Sequence, residues 1–553
     1  MSILSIEFLA LVLGTVIVYY IIPLKLRWWV LLAASAFFYA LAGWQGCIWL
    51  VLVAAETFLM SLLQERLVQK ERTTEKTEEL IRKRREEAEE KGTEKASGEG
   101  NPGLEDVWPL PEEDLPGLPE KGWFSSARKI RKLRKILLAV TIILPFAAMA
   151  FTKYYGCLRA WIVSMPELSL ILPLGLSYFT FQSVGYTVDI YRGKYAAEKN
   201  PLKYLLFVSF FPQMTQGPIS PYPQLMPQLT RGNRFDPDNF VMGVQLALWG
   251  YFKKMIIADR LAEVTSSVNA DNRGWFILLS VIIYAIRLYA DFSGGMDVIR
   301  GAAKMLGIDM VENFKRPFFS FSVAEYWRRW HISLGVWFRS YLFYPLTTSG
   351  FGLALSKLGK KLFGKKAGRG LPATISTIII FFLIGIWHTA NGNAVIFGLY
   401  FGLVMGIEIL LEPAFKKLKK KLHVNEKKLY WKIFTMIRTW ILILIPQYFA
   451  FTDGPETALK LIGNTFANWN FEKAGLQFTA VMSSLSWYIA GIAFVIMLAV
   501  DIICEIRPNL NQALAKTRFY IRWPVLLLLI LSILIYGCYG AGYDPTAFLY
   551  THF

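Results

Sequence analysis

Apolar stretches recur from one end of this 553-residue chain to the other, and the polar residues collect in the gaps between them. Three such runs lie near residues 6–24, 28–43 and 45–63. Ten more follow near 136–152, 158–181, 203–212, 240–257, 275–290, 373–388, 392–411, 433–451, 479–503 and 523–540. A helix needs about 20 residues to cross the hydrocarbon of a bilayer. The pattern therefore predicts an all-α, polytopic integral membrane protein with about 11 membrane segments. Re-entrant and interfacial helices are expected besides, set around a central polar tunnel. The run at 203–212 leads into Pro212, Gln213, Gly217, Pro218, Pro221 and Pro223. Backbone this irregular is tolerated at membrane depth only where protein or water covers it, so a re-entrant hairpin is expected there. Residues 311–345 interleave Trp, Tyr, Phe and Arg, which suits amphipathic helices at the interface or around a polar cavity.

One polar block interrupts the pattern and divides the chain into membrane helices at 1–63, a charged insert at 64–135 and a membrane core at 136–553. Gln64–Lys95 is rich in Glu, Lys and Arg at i,i+4 spacing and reads as a solvated helix continuing the third apolar run. Residues 96–122 are rich in Gly, Pro and Glu and read as disordered. A basic collar, Arg128, Lys129, Arg131, Lys132, Arg134 and Lys135, closes the insert and places it in the cytoplasm against anionic lipid. The run Phe8–Ile22 is preceded by Glu7 and by no Lys or Arg, which predicts an uncleaved segment with its N-terminus extracytoplasmic.

Composition agrees with this class: 54% of residues are apolar and 18% charged, where an average soluble domain carries about 25% charged residues. The net charge of +19 changes the picture more. The insert holds 17 acidic and 17 basic residues, so the whole excess lies in the hydrophobic remainder, which keeps 43 basic against 24 acidic. It clusters in short loops such as Lys357–Arg369, Lys416–Lys421 and Arg507–Arg522, as the positive-inside rule expects of cytoplasmic loops. No nucleic-acid module accompanies these charges, so a nucleic-acid partner is not expected. Cys47, Cys157, Cys504 and Cys538 are scattered, and no metal site is expected from them or from the four histidines. Neither a G-x-x-x-x-G-K-[ST] phosphate loop nor a G-x-S-x-G elbow occurs.

Two histidines stand where chemistry is plausible. His388 ends a nearly all-apolar helix beginning near Thr374, directly after Trp387. His331 follows Trp327, Arg328, Arg329 and Trp330. An ionisable group within a membrane segment is a functional candidate by default, and imidazole is the usual general base near neutral pH. The alternative is structural: a histidine donating to a carbonyl or packed on Trp387. Asp291 and Asp297 end the run at 275–290, with Arg316 beyond. Asp291 with Arg316 or Arg328 would make a buried ion pair. Otherwise Arg316, Arg328 and Arg329 are placed to grip a phosphate-bearing donor bidentately.

These residues lie in a longer match. Asp291–Leu346 (DFSGGMDVIRGAAKMLGIDMVENFKRPFFSFSVAEYWRRWHISLGVWFRSYLFYPL) resembles the signature region of the membrane-bound O-acyltransferase (MBOAT) family, and above all its bacterial branch typified by the alginate O-acetylation protein. Pro173–Arg192, Phe210–Ile219, Trp249–Ala262 and Gly385–Asn393 (GIWHTANGN) continue the likeness in the same order, over roughly 1–63 and 136–553. The resemblance implies that His388 matches the family's catalytic histidine and His331 its second characteristic one. Two positions depart: Thr389 stands where the family often has Gly, and the chain ends FLYTHF (Phe548–Phe553) where bacterial members often end in FIYFQF-like sequence.

The function so implied is transfer of an acyl group, acetyl first, from a cytoplasmic thioester such as acetyl-coenzyme A to a hydroxyl of an extracytoplasmic polysaccharide or cell-wall polymer. His388 is the expected general base. Asn391 and Asn393 are expected to stabilise the oxyanion, with Trp327, Trp330, Trp387 and Asp291 around the substrate. No bound cofactor is expected. A partner acyltransferase outside the cytoplasm is, in the cell membrane of a bacterium. Within the same fold the alternative is D-alanyl transfer to teichoic acid from a carrier-protein thioester. Outside it stand a transporter or flippase relaying protons through the two histidines, and a scaffold recruiting partners through its insert.

Overall fold

The computed structural model describes residues 2–96, 126–162, 173–389, 391–540, 543 and 544. Every regular element among them is helical. Ten of these helices are long and apolar enough to cross a membrane, and Ile6–Ile21 is a shorter apolar one. This is an all-α polytopic membrane protein. The chain divides into two compact units, Val51–Ala148 with Ser183–Tyr204, and the remainder.

In the smaller unit the boundary expected at 63/64 is no break in the backbone. One helix, Trp44–Ala96, carries the chain from apolar run into charged insert, because i,i+4 hydrogen bonding is indifferent to whether side chains face lipid or water. It packs on Ala127–Trp161. Glu71 bridges Arg131 (2.7 Å) and Arg134, and Gln64 Nε2 donates to the Arg134 carbonyl (2.9 Å). The Arg134 guanidinium also donates to the Tyr191 carbonyl and lies 4.6 Å from its ring. Two members of the basic collar expected at anionic lipid are thus turned to a protein carboxylate instead, since a facing helix supplies a nearer anion. Residues 97–125, which hold most of the segment read as disordered, lie outside the described residues.

The apolar run at 158–181 is not one segment. One helix ends at Trp161 and the next begins at Leu176, after Pro173 and after Gly175 in a left-handed conformation that a side chain resists (φ 71°). The run at 479–503 likewise begins a new helix at Ser484, capped by Ser483, whose hydroxyl accepts from Ser486 N–H. Around 203–212 the chain forms the helix Pro201–Ser209 and a tight turn Phe211–Met214, fully covered by protein. Part of its polarity is met inside: Phe211 N–H donates to Ser35 Oγ (3.1 Å), and the Gln182 and Gln213 side-chain N–H groups both donate to the Phe207 carbonyl.

Asp291 and Asp297 do not end a segment. The helix runs on as Trp275–Met305, with both aspartates in its middle. Gly294 and Gly301 let it approach the helix Pro237–Tyr251 so closely that a Cβ on either would stand within 2.8 Å of a carbonyl oxygen of Gly250 or Gly243. The acids are kept by cations from the π-helical turn Phe252–Ala258: Lys253 pairs with Asp297 (2.7 Å), and Lys254 with Asp291 (2.5 Å) and Asp259 (2.6 Å). Paired charge is what allows a helix to carry acids at membrane depth. The partner expected for Asp291, Arg316 or Arg328, is thereby replaced by Lys254.

Candidate active site

His388 is the last residue of the helix Leu371–His388, which turns back through Thr389 and Asn391 into Gly392–Lys421. Gly398, Gly402 and Gly406 repeat every four residues and form one stripe of the second helix, facing Thr374, Ile378, Phe381 and Gly385 of the first. A Cβ on Gly402 would stand 2.9 Å from Ile378 Cα, and one on Gly398 would be 3.1 Å from Gly385 Cα. Lipid tails are as apolar as leucine, so close backbone approach through small residues is what holds such a pair together. Thr374 Oγ1 adds a hydrogen bond to the Gly406 carbonyl (3.1 Å).

A helix that ends inside protein leaves its last carbonyls without partners. Here two side chains of the helix Ala127–Trp161 supply them. Lys153 Nζ donates to the Trp387 carbonyl and Tyr154 Oη to that of Ile386. Lys153 also sits 5.7 Å from the Trp387 ring, and His388 lies within its electrostatic reach and that of His331. Sequence reading passed over Lys153. Its signal was present, as the one charged residue between Lys135 and Arg159 in an otherwise apolar helix.

His388 lines a cavity of about 290 Å³ together with Trp327, Trp330, Asn391, Asn393, Phe397 and the segment Phe449–Asp453. Asn391 caps the second helix, its Oδ1 accepting from Ala394 N–H (2.9 Å). Asn393 Nδ2 donates to the Thr452 carbonyl (2.6 Å), while its Oδ1 is buried without a partner among the described residues. The same holds for the indole N–H of Trp327. Among the described residues no cluster of His, Cys, Asp and Glu assembles that would hold a metal.

The Trp-Arg-Arg-Trp-His stretch is shaped locally. Ser322 Oγ accepts from Glu325 N–H (3.1 Å) and the Glu325 carboxylate from Phe321 N–H (2.9 Å), a reciprocal cap that starts the helix Val323–Arg329. It ends at Trp330, because His331 takes a left-handed conformation (φ 45°, ψ 53°) before the helix Ile332–Phe338. Asn313 clamps that turn: its carbonyl accepts from Ile332 N–H (3.0 Å) and its Oδ1 from Ser333 N–H (2.8 Å). His331 is 2% exposed, with its ring edge-to-face on Phe292 at 5.0 Å, and it does not line the cavity. Burial pushes its pKa down to about 3, so the ring is neutral at physiological pH.

The remaining sequence candidates scatter. Trp387 is buried behind His388 against Phe181 (5.4 Å). Asp291 belongs to the Lys254 pair, away from the cavity wall. Arg316 and Arg329 both hold Glu505, at 2.6 and 3.0 Å, and Arg329 also holds Glu325. Glu505 ends up between two arginines that sequence reading aimed at phosphate. Arg328 is exposed. The terminal FLYTHF lies outside the described residues. The segment Phe449–Asp453 was not anticipated at all, since nothing in its sequence places it at the cavity of His388.

No family model matches the chain. Curated relatives do. A probable alginate O-acetylase AlgI of Pseudomonas syringae pv. tomato is 30% identical over 313 residues, 55% of this chain and 54% of the relative. A peptidoglycan O-acetyltransferase of Helicobacter pylori is 28% identical over 367 residues, 60% of this chain and 64% of the relative. A teichoic acid D-alanyltransferase of Bacillus subtilis is 30% identical over 265 residues, 46% and 63% respectively. The chain spans about half the length of the alginate relatives it matches. Over roughly half of its length the chain is thus similar to bacterial proteins named for alginate O-acetylation, peptidoglycan O-acetylation and teichoic acid D-alanylation.

Proposed function

We propose that this protein is a membrane O-acyltransferase that moves an acetyl group from a cytoplasmic thioester toward a hydroxyl of an extracytoplasmic polysaccharide or cell-wall polymer. The observation that carries the reading is His388 at the tip of a glycine-packed hairpin, lining a cavity together with tryptophan and asparagine side chains. A base held this firmly beside a cavity of about 290 Å³ suits a small acyl group and one hydroxyl. His388 takes the proton of the attacking hydroxyl and returns it to the departing thiolate. Lys153 and Tyr154 keep the imidazole in place by satisfying the carbonyls at the helix end. His331 holds the neighbouring turn, and the exposed Arg328 is the arginine left to meet donor phosphate. The relatives' names, alginate and peptidoglycan acetylation and teichoic acid D-alanylation, support a polymer acceptor. The cell membrane, an extracytoplasmic N-terminus, the cytoplasmic insert and an extracytoplasmic partner acyltransferase belong to the same proposal.

The test is acyl transfer by the purified protein in proteoliposomes, given radiolabelled acetyl-coenzyme A in one arm and a D-alanyl carrier-protein thioester in another. Wild type is expected to consume the acetyl donor and label a polysaccharide acceptor, and His388→Ala to abolish transfer. Full transfer by His388→Ala removes the base. Consumption of the D-alanyl thioester alone replaces the acetyl reading with its alternative.

A further inference from the structure

A second cavity, of about 640 Å³, opens between the helices Gly392–Lys421 and Leu429–Leu444. That size falls within the range of about 300–1,000 Å³ usual for ligand sites. The two helices touch at both ends of it. At one end Tyr400 Oη donates to the Leu442 carbonyl (2.9 Å), and at the other Lys419 pairs with Glu426 (3.1 Å). Val404, Ile407, Phe415, Leu418, Trp431 and Leu442 supply apolar wall between them.

Polarity is graded along this cleft. The Lys419 ammonium lies 5.9 Å from the Trp431 ring, and indoles collect where headgroups meet hydrocarbon. From Trp431 to Leu442 the helix rises about 16 Å at 1.5 Å per residue, which is about one leaflet of a hydrocarbon core near 30 Å thick. Around the connection between the helices, residues 412–432 carry eight lysines against two glutamates. The cations of the lining are unequally occupied. Lys416 is paired with Glu412 (2.6 Å) and Lys419 with Glu426. Lys432 and Arg438 are exposed and have no carboxylate within 4 Å among the described residues. Arg438 donates one N–H to the Phe321 carbonyl (2.9 Å), which steadies the guanidinium and leaves further N–H groups for a ligand. Glu408 lines the cavity as well, and the lysine-rich rim outweighs it.

We propose that this cleft binds an anionic phospholipid, its phosphate held by Lys432 and Arg438 and one acyl chain laid along the wall toward Val404 and Leu442. Basic pockets between membrane helices hold acidic headgroups in this way. Guanidinium matches the phosphate oxygens, and the apolar wall, as deep as a leaflet, matches a chain that a nucleotide lacks. The excess of lysine on the rim selects an anionic headgroup over a zwitterionic one. The cleft shares no lining residue with the cavity of His388, and it requires nothing of the acyl-transfer reading.

The experiment is native mass spectrometry of the purified, delipidated chain, titrated with phosphatidylglycerol or with phosphatidylcholine of identical acyl chains. Phosphatidylglycerol is expected to bind at least about tenfold more tightly. Lys432→Gln with Arg438→Gln should weaken it about 30-fold, and Lys432→Gln alone, which breaks no hydrogen bond found among the described residues, about fivefold. Lys360→Gln with Lys365→Gln removes the same charge from exposed residues outside the cleft and should leave binding within about twofold of wild type. Thermal melting checks that each variant is folded. Equal binding of the two lipids overturns the proposal. An equal loss in the two double variants overturns it as well, since general surface charge would then account for the binding. Displacement of phosphatidylglycerol by an equimolar amount of coenzyme A gives the cleft to a phosphate-bearing donor and overturns the lipid assignment.

Discussion

Substituting Gly398 by Ala tests whether the hairpin positions His388. The added Cβ would overlap the Phe381 carbonyl oxygen and stand 3.1 Å from Gly385 Cα, whereas ordinary Cβ contacts begin near 3.4 Å. Both obstacles are backbone, so no side chain can swing aside. The two helices must part by roughly 0.5–1 Å along the stripe. Overpacking of this kind costs about 1–3 kcal/mol. In a bilayer no hydrophobic force presses the helices together again, so the displacement persists at the tip that carries His388. A misplacement near 1 Å at a reacting group lowers turnover by about 10²-fold. The assay is acyl transfer in proteoliposomes with thermal melting in the same detergent. Gly491→Ala, whose Cβ would meet nothing within 4 Å, is the control. If Gly398→Ala melts and turns over like that control, the hairpin does not set the geometry of the site and the argument fails.

Two further outcomes follow from buried charge. Lys254→Met leaves Asp259 and Asp291 facing one another without a cation and should cost about 3–5 kcal/mol, read as a lowered melting temperature. Adding Asp291→Leu should recover part of the loss, and a double variant as unstable as the single would show that the pair is not what matters. His331 stays neutral in the folded protein down to a pKa of about 3, while the unfolded chain takes up its proton near 6.5. Its contribution to stability is therefore complete above pH 6.5 and lost as pH falls toward 3, at about 1.4 kcal/mol per pH unit. Thermal melts at pH 7.5, 6 and 4.5 should show this slope in the wild type. They should show less of it in His331→Asn, which tolerates the left-handed backbone. Parallel slopes in the two proteins would remove His331 as the source.

What the sequence by itself determined is what local physics controls. Apolar runs set the membrane class, and among the described residues ten helices of spanning length and composition answer them. The two histidines stood out because an ionisable group amid apolar residues is costly and therefore conspicuous.

Partners were the part only the tertiary structure decided. Arg316 looked ready for phosphate until Glu505, 189 residues away, was found against it. Asp291 and Asp297 looked like the end of a helix until Lys254 and Lys253 supplied the charge that lets the helix continue. Lys153 reaches the Trp387 carbonyl across 234 residues, and Phe449–Asp453, the end of a short helix and the bend after it, lines the cavity without any signature of its own. Charge on a side chain is a local property. Whether it is left for a substrate or neutralised by the protein depends on which surfaces meet, and that is set by the packing of distant segments through close contacts such as those of Gly385 and Gly398.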